Sequence, residues 1–322
     1  MSLGKNYIIL AHHQPNQLLR LVERLEDGHT RIYLHIDKQS DIRQFHAVTA
    51  KHYVKVITER FASSWGGIGI VKATVAGMRA IVRDNRPYHT KLLSGQCYPL
   101  VSNNTWNQFL QAHPHTDFID VKAIDKAFPN WEQRMHQYKV DLSSQRNDHL
   151  LVTPVEKLSY RERLHLFKKL MRKALDRKKF SILGKLPAFY AVRKTPVVKQ
   201  DFGGSQWWTL SYPTLKKVVG FLEAHPDFLQ YHRYTLLPDE IVFQTVISHL
   251  RLEDPSITIK PNLTFTIWPE GMHTSPLVLH TAHLPSLMEQ SGKLFARKMD
   301  ETQSAGLLNT LDQLALGGRQ MQ

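Results

Sequence analysis

Two rhythms of apolar residues organise the first forty residues. Asn6-Tyr-Ile-Ile-Leu-Ala11 is a short continuous apolar run stopped by His12-His13-Gln14-Pro15, the pattern of a strand covered on both faces and closed by a polar loop. Leu18, Leu21, Val22 and Leu25 then recur at helical spacing, which predicts a helix over Gln17–Glu26, capped by Asn16 and ended by Asp27-Gly28. Arg31–Ile36 reads as a second strand. Strand, helix and strand within about 30 residues make a βαβ unit, which predicts an α/β fold with a mainly parallel central sheet flanked by helices. Ligands of such sheets gather at the carboxyl ends of the strands, here His12-His13 and His35-Ile-Asp37-Lys38.

Tyr53–Ile57 makes a third strand, and the loop Trp65-Gly-Gly67 leads into a helix over 68–83. Lys91–Leu100 runs as a strand into a Gly/Pro-marked loop, followed by a helix over Asn103–Gln111 and a strand over Asp117–Asp120. Between residues 122 and 199 the rhythm loosens, and this stretch reads as an insertion outside the core sheet. Patterning returns at Gly203–Ser211, then in a helix that turns Leu215, Val218, Val219 and Leu222 to one side. Pro238-Asp239-Glu240 is expected to open a further helix with Ile241, Phe243, Val246, Ile247 and Leu250 inward, setting both acids in a first turn that favours negative charge. The expected organisation is one domain over residues 5–300, with a first half at 5–121, the variable basic insertion at 122–199 and a second half at 200–300. A C-terminal helix and frayed tail occupy 301–322.

The composition of the 322 residues is globular, with 42% hydrophobic and 22% charged, which excludes disorder and fibrous repeats. No run approaches the length of a membrane span, and the N-terminus lacks the charged and apolar regions of an export signal. Met1–Gly4 reads as an expression leader. Cys97 is the single cysteine, so an internal disulfide or a Cys-based zinc site is ruled out and a reducing, cytoplasmic setting is expected. The net charge of +14 is concentrated between Glu156 and Lys185, where eleven Lys/Arg face three acids. Leu164, Phe167, Met171 and Leu175 near one face, with Lys168, Lys169, Arg172, Lys173 and Lys179 around the other, describe a basic amphipathic helix that either rests on anionic lipid or covers the core.

The chemistry-bearing residues admit two readings each. Glu240 is a general base on a rigid turn or only a helix-terminus charge; Arg297-Lys298 neutralise a diphosphate or form a solvated face; Asp37 meets a ribose or base, or only shapes a turn. The eighteen histidines show no metal-binding spacing, and extended His12 and His13 would point to opposite faces. Asp-x-Asp, Gly-x-Gly-x-x-Gly and P-loop motifs are all missing, so no divalent metal and no Rossmann dinucleotide site is expected.

Seven segments in order resemble the core-2/I-branching N-acetylglucosaminyltransferase and peptide O-xylosyltransferase family. They are Tyr7–His12, His35–Lys38, Trp65–Gly67, Leu92–Leu100, Gly204–Ser211, Pro238–Glu240 and Leu294–Lys298. The resemblance implies a GT-A-like fold and inverting, metal-independent transfer of a sugar, N-acetylglucosamine or xylose, from a UDP-sugar to a glycan, polysaccharide or lipid-linked acceptor. It implies that Glu240 is the catalytic base and that Arg297 and Lys298 hold the diphosphate in place of a cation. It also places Asp37 and His12 at the nucleotide, and Trp268 as an acceptor platform; Trp65, Ser94, Trp207 and Asp239 complete the expected substrate contacts. There are departures: Gly271–Pro276 lacks the further arginine of the branching enzymes, and Ser275-Pro276 looks closer to the xylosyltransferases. The membrane anchor and cysteines of animal members are absent, which fits a bacterial cytoplasmic homologue that the basic insertion brings to the inner face of the membrane. The competing expectation is a non-catalytic protein docking on anionic membrane or nucleic acid through residues 156–185.

Overall fold

Seven residues with almost no exposed surface, Lys5–Ala11, form β1 at the centre of the molecule. The computed structural model describes residues 4–143, 145–146, 148–176, 183–184, 188–269, 271 and 275–316. Thr30–Ile36 (β2) and Thr90–Ser94 (β4) flank β1 in parallel, and Val54–Val56 (β3) extends the sheet beyond β2. Cys97–Pro99 (β5) leaves this sheet, while Thr116–Phe118 (β6) rejoins it on the far side. Lys122–Ala123 (β7), Tyr138–Asp141 (β8) and His149–Val152 (β9) lie outside it, β8 and β9 as an antiparallel hairpin. Phe202–Gly203 (β10) pairs with β7, and Thr209–Leu210 (β11) enters the main sheet antiparallel to both β4 and β6. Thr258–Lys260 (β12) completes it, Thr264–Thr266 (β13) leads away, and Phe295–Arg297 (β14) lies between β13 and β5.

The central sheet therefore runs β12-β6-β11-β4-β1-β2-β3, with β11 alone reversed, and a three-stranded sheet β13-β14-β5 sits beside it. Helices Pro15–Leu25, Gly69–Arg83, Tyr212–Ala224 and Val242–Glu253 cover the sheet with apolar faces, among them Leu21, Met78, Val218 and Val246, all inaccessible to solvent. Burial on both sides explains why β1, β2 and β4 read as continuous apolar runs. This is the expected α/β architecture, a mainly parallel central sheet flanked by helices.

Several local expectations change. The first helix begins at Pro15 behind Gln14, which takes a left-handed conformation, because Pro15 supplies a preset φ for the opening turn; Asn16 lies within the helix and caps nothing. Pro238–Glu240 form their own 3₁₀ turn, and the next helix starts at Val242, so Asp239 and Glu240 do not occupy its first turn. The C-terminal helix runs over Ala305–Leu316 and seals the core with Leu307, Leu308 and Leu311; Asp312 accepts from Arg20 (2.7 Å) and from the Tyr98 hydroxyl (2.7 Å). The predicted frayed tail after residue 316 lies outside the described residues.

Asp117 shows how the antiparallel strand is fixed. Its carboxylate, wholly buried, accepts from Ser211 N (2.7 Å) and Thr214 Oγ1 (2.5 Å), closing β6 onto the end of β11 and the start of the following helix. Burial pushes its pKa up to about 6, against the downward pull of those two bonds. A carboxyl raised above its unfolded value of 3.8 stabilises the fold fully at low pH, and that contribution is lost as pH rises to about 6. Relative to wild type, Asp117→Asn should flatten the stability slope between about pH 4 and 6, where a change of roughly 3 kcal/mol is expected from a two-unit shift. Asp117→Ala strands two buried donors and should cost about 2–3 kcal/mol below about pH 4, the cost relative to wild type shrinking as pH rises to about 6 because the variant has no carboxyl to titrate. Urea unfolding at several pH values checks both.

Candidate active site

The strand ends of β1, β2 and β4 and the edge of the small sheet enclose one cleft of about 1170 Å³. That volume suits a ligand larger than a nucleotide alone. All ten residues singled out from the sequence line it: His12, Asp37, Trp65, Ser94, Trp207, Asp239, Glu240, Trp268, Arg297 and Lys298. A parallel sheet collects its ligand residues at one edge, and this is why positions more than 280 residues apart in the chain meet here.

At the β2 end, Asp37 is committed to shaping the floor. Its Oδ1 accepts from Gln39 N and its Oδ2 from Ser63 N, both at 2.8 Å, and each oxygen keeps a further lone pair toward the cleft. His35 accepts from Phe61 N (3.0 Å). Burial lowers the pKa of His35 to about 4, and burial together with His13 does the same to His12. Both rings are therefore neutral at pH 7. His12 and His13 do not point apart; their rings meet edge to face at 4.0 Å and both line the cleft, because the backbone leaves the extended conformation at the end of β1.

Across the cleft, the 3₁₀ turn that carries Glu240 is held from three sides. Leu237 adopts a left-handed conformation (φ 55°), and its N–H donates to Gly66 O at 2.9 Å. Gly66 also has positive φ (62°), and a Cβ there would sit 3.1 Å from the Leu237 side chain, so the Trp65-Gly-Gly67 motif acts as the seat of the Glu240 turn. Gly204 N donates to Glu240 O (3.0 Å), and a Cβ on Gly204 would come within 2.0 Å of Asp120 O. Only glycine permits that approach. Arg134 Nη1 donates to Glu240 Oε2 at 2.8 Å while its guanidinium stacks on Phe128 at 3.7 Å, fixing the carboxylate at the edge of the cleft that Glu240 lines. Beside it Asp239 is fully buried, its Oδ1 without a partner; burial and then the neighbouring Glu240 raise its pKa well above the usual carboxylate range. Both residues line the cleft, Glu240 the more exposed of the two.

The third wall is cationic. Arg297, at the end of β14, lies 4.4 Å over the Trp207 ring and is inaccessible enough that burial lowers even a guanidinium. Its Nε has no hydrogen-bond partner, and no carboxylate comes within ion-pair distance of it among the described residues. Lys298 is half-buried, and its pKa is lowered by burial, then by Arg297 and Arg146. Arg146 comes from the loop of the β8–β9 hairpin and packs 5.0 Å over Trp65. Ser94 Oγ lies under this wall, accepting from Gln96 N at 3.2 Å. Trp268, in contrast, is 56% exposed at the rim.

Arg134 and Arg146 are absent from the sequence-based site. Both come from the loose stretch after residue 122, which the sequence reading set apart as an insertion; the structure brings it back as one wall of the cleft. Neither arginine sits in a motif, and only the fold pairs them with Glu240 and Lys298. Among the described residues no group of three or more His, Cys, Asp or Glu gathers at a common point.

Among solved structures, the chain is similar to a protein from Bacillus anthracis described as a candidate glucose-1-phosphate thymidylyltransferase, at 9% identity, with 80% of this chain and 87% of that chain covered and a TM-score of 0.34. HddC from Yersinia pseudotuberculosis aligns at 11% identity over 66% of this chain and 79% of its own, with a TM-score of 0.27. UDP-glucose pyrophosphorylase complexed with UDP-glucose aligns at 7% identity over 78% and 99%, with a TM-score of 0.27. No curated protein sequence matches. The family model described as core-2/I-branching enzyme matches residues 6–286, nearly the whole chain. The chain belongs to the core-2/I-branching enzyme family, glycosyltransferases that use nucleotide-sugar donors.

Proposed function

We propose that this protein is an inverting, metal-independent glycosyltransferase that moves N-acetylglucosamine or xylose from a UDP-sugar to a hydroxyl of a glycan, polysaccharide or lipid-linked acceptor. The observation that carries the reading is the placement, in one cleft, of a fixed carboxylate facing a wall of three cations without carboxylate partners. The acceptor oxygen attacks the anomeric carbon while its proton passes to Glu240 Oε1, and the bond from that carbon to the phosphate oxygen breaks. UDP departs with the electron pair, and its growing charge falls to Arg297, Lys298 and Arg146, which do the electrostatic work otherwise given to a cation. The shielded setting of Arg297 strengthens each of these contacts. Asp37 and His12 border the nucleoside end, and Trp268 at the rim offers an apolar face to an acceptor sugar. Arg146 supplies the third positive charge that the segment 271–276 lacks.

Glu240→Gln keeps the shape of the side chain and removes the base. Transfer should fall by about 10²–10⁴-fold while UDP affinity stays within about threefold, since the base acts on the acceptor and not on the donor. A variant that loses UDP binding in step with transfer would take the base role away from Glu240.

The cation wall is separable by ligand. Lys298→Ala should weaken UDP by about 1.5–3 kcal/mol, and Arg146→Ala, more exposed, by roughly 1 kcal/mol, with uridine affinity unchanged in both. Calorimetric titrations of UDP and uridine check this; an equal loss for both ligands would show that the residue holds the fold of the cleft and not the diphosphate.

A further inference from the structure

One face of the molecule carries apolar residues that nothing covers among the described residues. The basic segment 156–185 becomes a 3₁₀ turn at Val155–Lys157 and then a helix over Tyr160–Asp176; the predicted Lys179 lies outside the described residues. The helix is about 25 Å long. It seats on the β8–β9 hairpin through Leu170, packed with Tyr138, Val140, Leu142 and Val152, and through the buried Ala174. Leu166, partly buried, joins that contact, and the other apolar residues of the helix lie outside it. Tyr160, Leu164, Phe167, Met171 and Leu175 are spaced four, three, four and four apart, a single stripe along the helix. Tyr160, Leu164, Phe167 and Leu175 are 44% to 76% exposed.

The charge around the stripe is of one sign. Arg161, Lys168 and Arg172 follow one edge and Arg163 the other, with Lys169 and Lys173 further round, all six being cations. Of the two acids on the helix, Glu162 is turned back on its N-terminus, accepting from Ser159 N (2.8 Å) and Ser159 Oγ (2.7 Å). A stripe of aromatic and aliphatic side chains bordered by Lys and Arg matches the layering of an anionic bilayer, with acyl chains below and phosphate groups at the level of the cations. A second copy of the chain is a poor match, because it would set one cationic surface against another in a molecule of net charge +14.

We propose that the Tyr160–Asp176 helix lies in the surface of an anionic membrane, with Leu164, Phe167, Met171 and Leu175 in the acyl boundary and Arg161, Lys168 and Arg172 on lipid phosphates. The hairpin beneath it carries Arg146 into the cleft, so the docked helix sets the cleft beside the bilayer. The surface stands on its own exposure and charge, independently of the reaction assigned to the cleft.

Co-sedimentation of the full chain with phosphatidylcholine vesicles, and with vesicles of phosphatidylcholine mixed with phosphatidylglycerol, tests it, with sedimentation velocity in the absence of lipid. The wild type should partition onto the anionic vesicles only, and added salt should release it. Leu164→Ser combined with Phe167→Ser should weaken that partitioning by about tenfold or more, and Lys168→Glu combined with Arg172→Glu by a similar factor, with melting temperature and UDP affinity unchanged. The proposal fails if the wild type stays in the supernatant at low salt, or if the Leu164/Phe167 variant binds as the wild type does. It also fails if the apolar substitutions dissolve a dimer present without lipid, which would assign the stripe to a second copy.

Discussion

Positive charge gathered in one partly buried wall, with no carboxylate within ion-pair distance of it among the described residues, is the constraint around which the cleft is built. Taking a guanidinium or ammonium into a protein interior costs several kcal/mol per ion, and a partner normally offsets it. Arg297 lies over the π face of Trp207 and beside the Cys97 sulfur, with Asp239 and Glu240 acting on it only through space; Lys298 feels Arg297 and Arg146 as neighbours of its own sign, offset in part by Asp300; and Glu240 is already engaged by Arg134. The same economy extends below the floor. Lys91 is buried within β4 and donates to Trp207 O (3.0 Å) and Thr264 Oγ1 (2.8 Å) with no carboxylate within ion-pair distance among the described residues, and burial lowers its pKa to about 7. Such a wall is costly when empty and favourable around a dianion. A diphosphate is the ligand whose charge the wall lacks.

The fold keeps this wall in place by joining two sheets. β14 is held between β13 and β5, so Arg297 and Lys298 are delivered from a strand end and not from a loose loop. Lys91 bonds the central sheet to the residue that carries the Trp207 carbonyl and to the first residue of β13, tying the two sheets under the cations. The opposite wall is equally overdetermined. Gly204 permits a close approach to the Asp120 backbone that a side chain would block, Gly66 supplies a left-handed turn, and each bonds through its backbone to the Glu240 turn. Base and cations are thereby held apart at fixed positions, the arrangement needed for attack from the side opposite a leaving diphosphate.

Much of this was legible in the residues. The covered strands β1, β2 and β4 announce themselves as apolar runs, and a parallel sheet has only one edge at which to gather its polar ends, so His12, Asp37 and Ser94 could be placed together before any coordinates. The motif resemblance supplied Glu240, Arg297 and Lys298. What was not legible depends on long-range contact. Whether Pro238–Glu240 starts a helix or stands as a separate turn is decided by Gly66, more than 170 residues earlier, through the Leu237 N–H. Arg134 and Arg146 carry no local signal, since an arginine in a polar stretch looks the same whether it meets solvent or a carboxylate. The 160–176 helix was visible from its spacing, but the division of its apolar residues into a seated set, Leu166, Leu170 and Ala174, and an exposed stripe requires knowing where the hairpin lies.

The claim that cations of the chain itself, and not a divalent metal, receive the diphosphate is tested most directly by calorimetric titration of UDP into the purified protein with and without EDTA. The account predicts micromolar binding that is the same in both conditions and weakens with added salt, because the contacts are charge-assisted and partly open to solvent. Binding that appears only when Mn²⁺ or Mg²⁺ is supplied would contradict it, since the charge on the leaving group would then be met by a metal ion and the unpaired wall of Arg297, Lys298 and Arg146 would need another explanation.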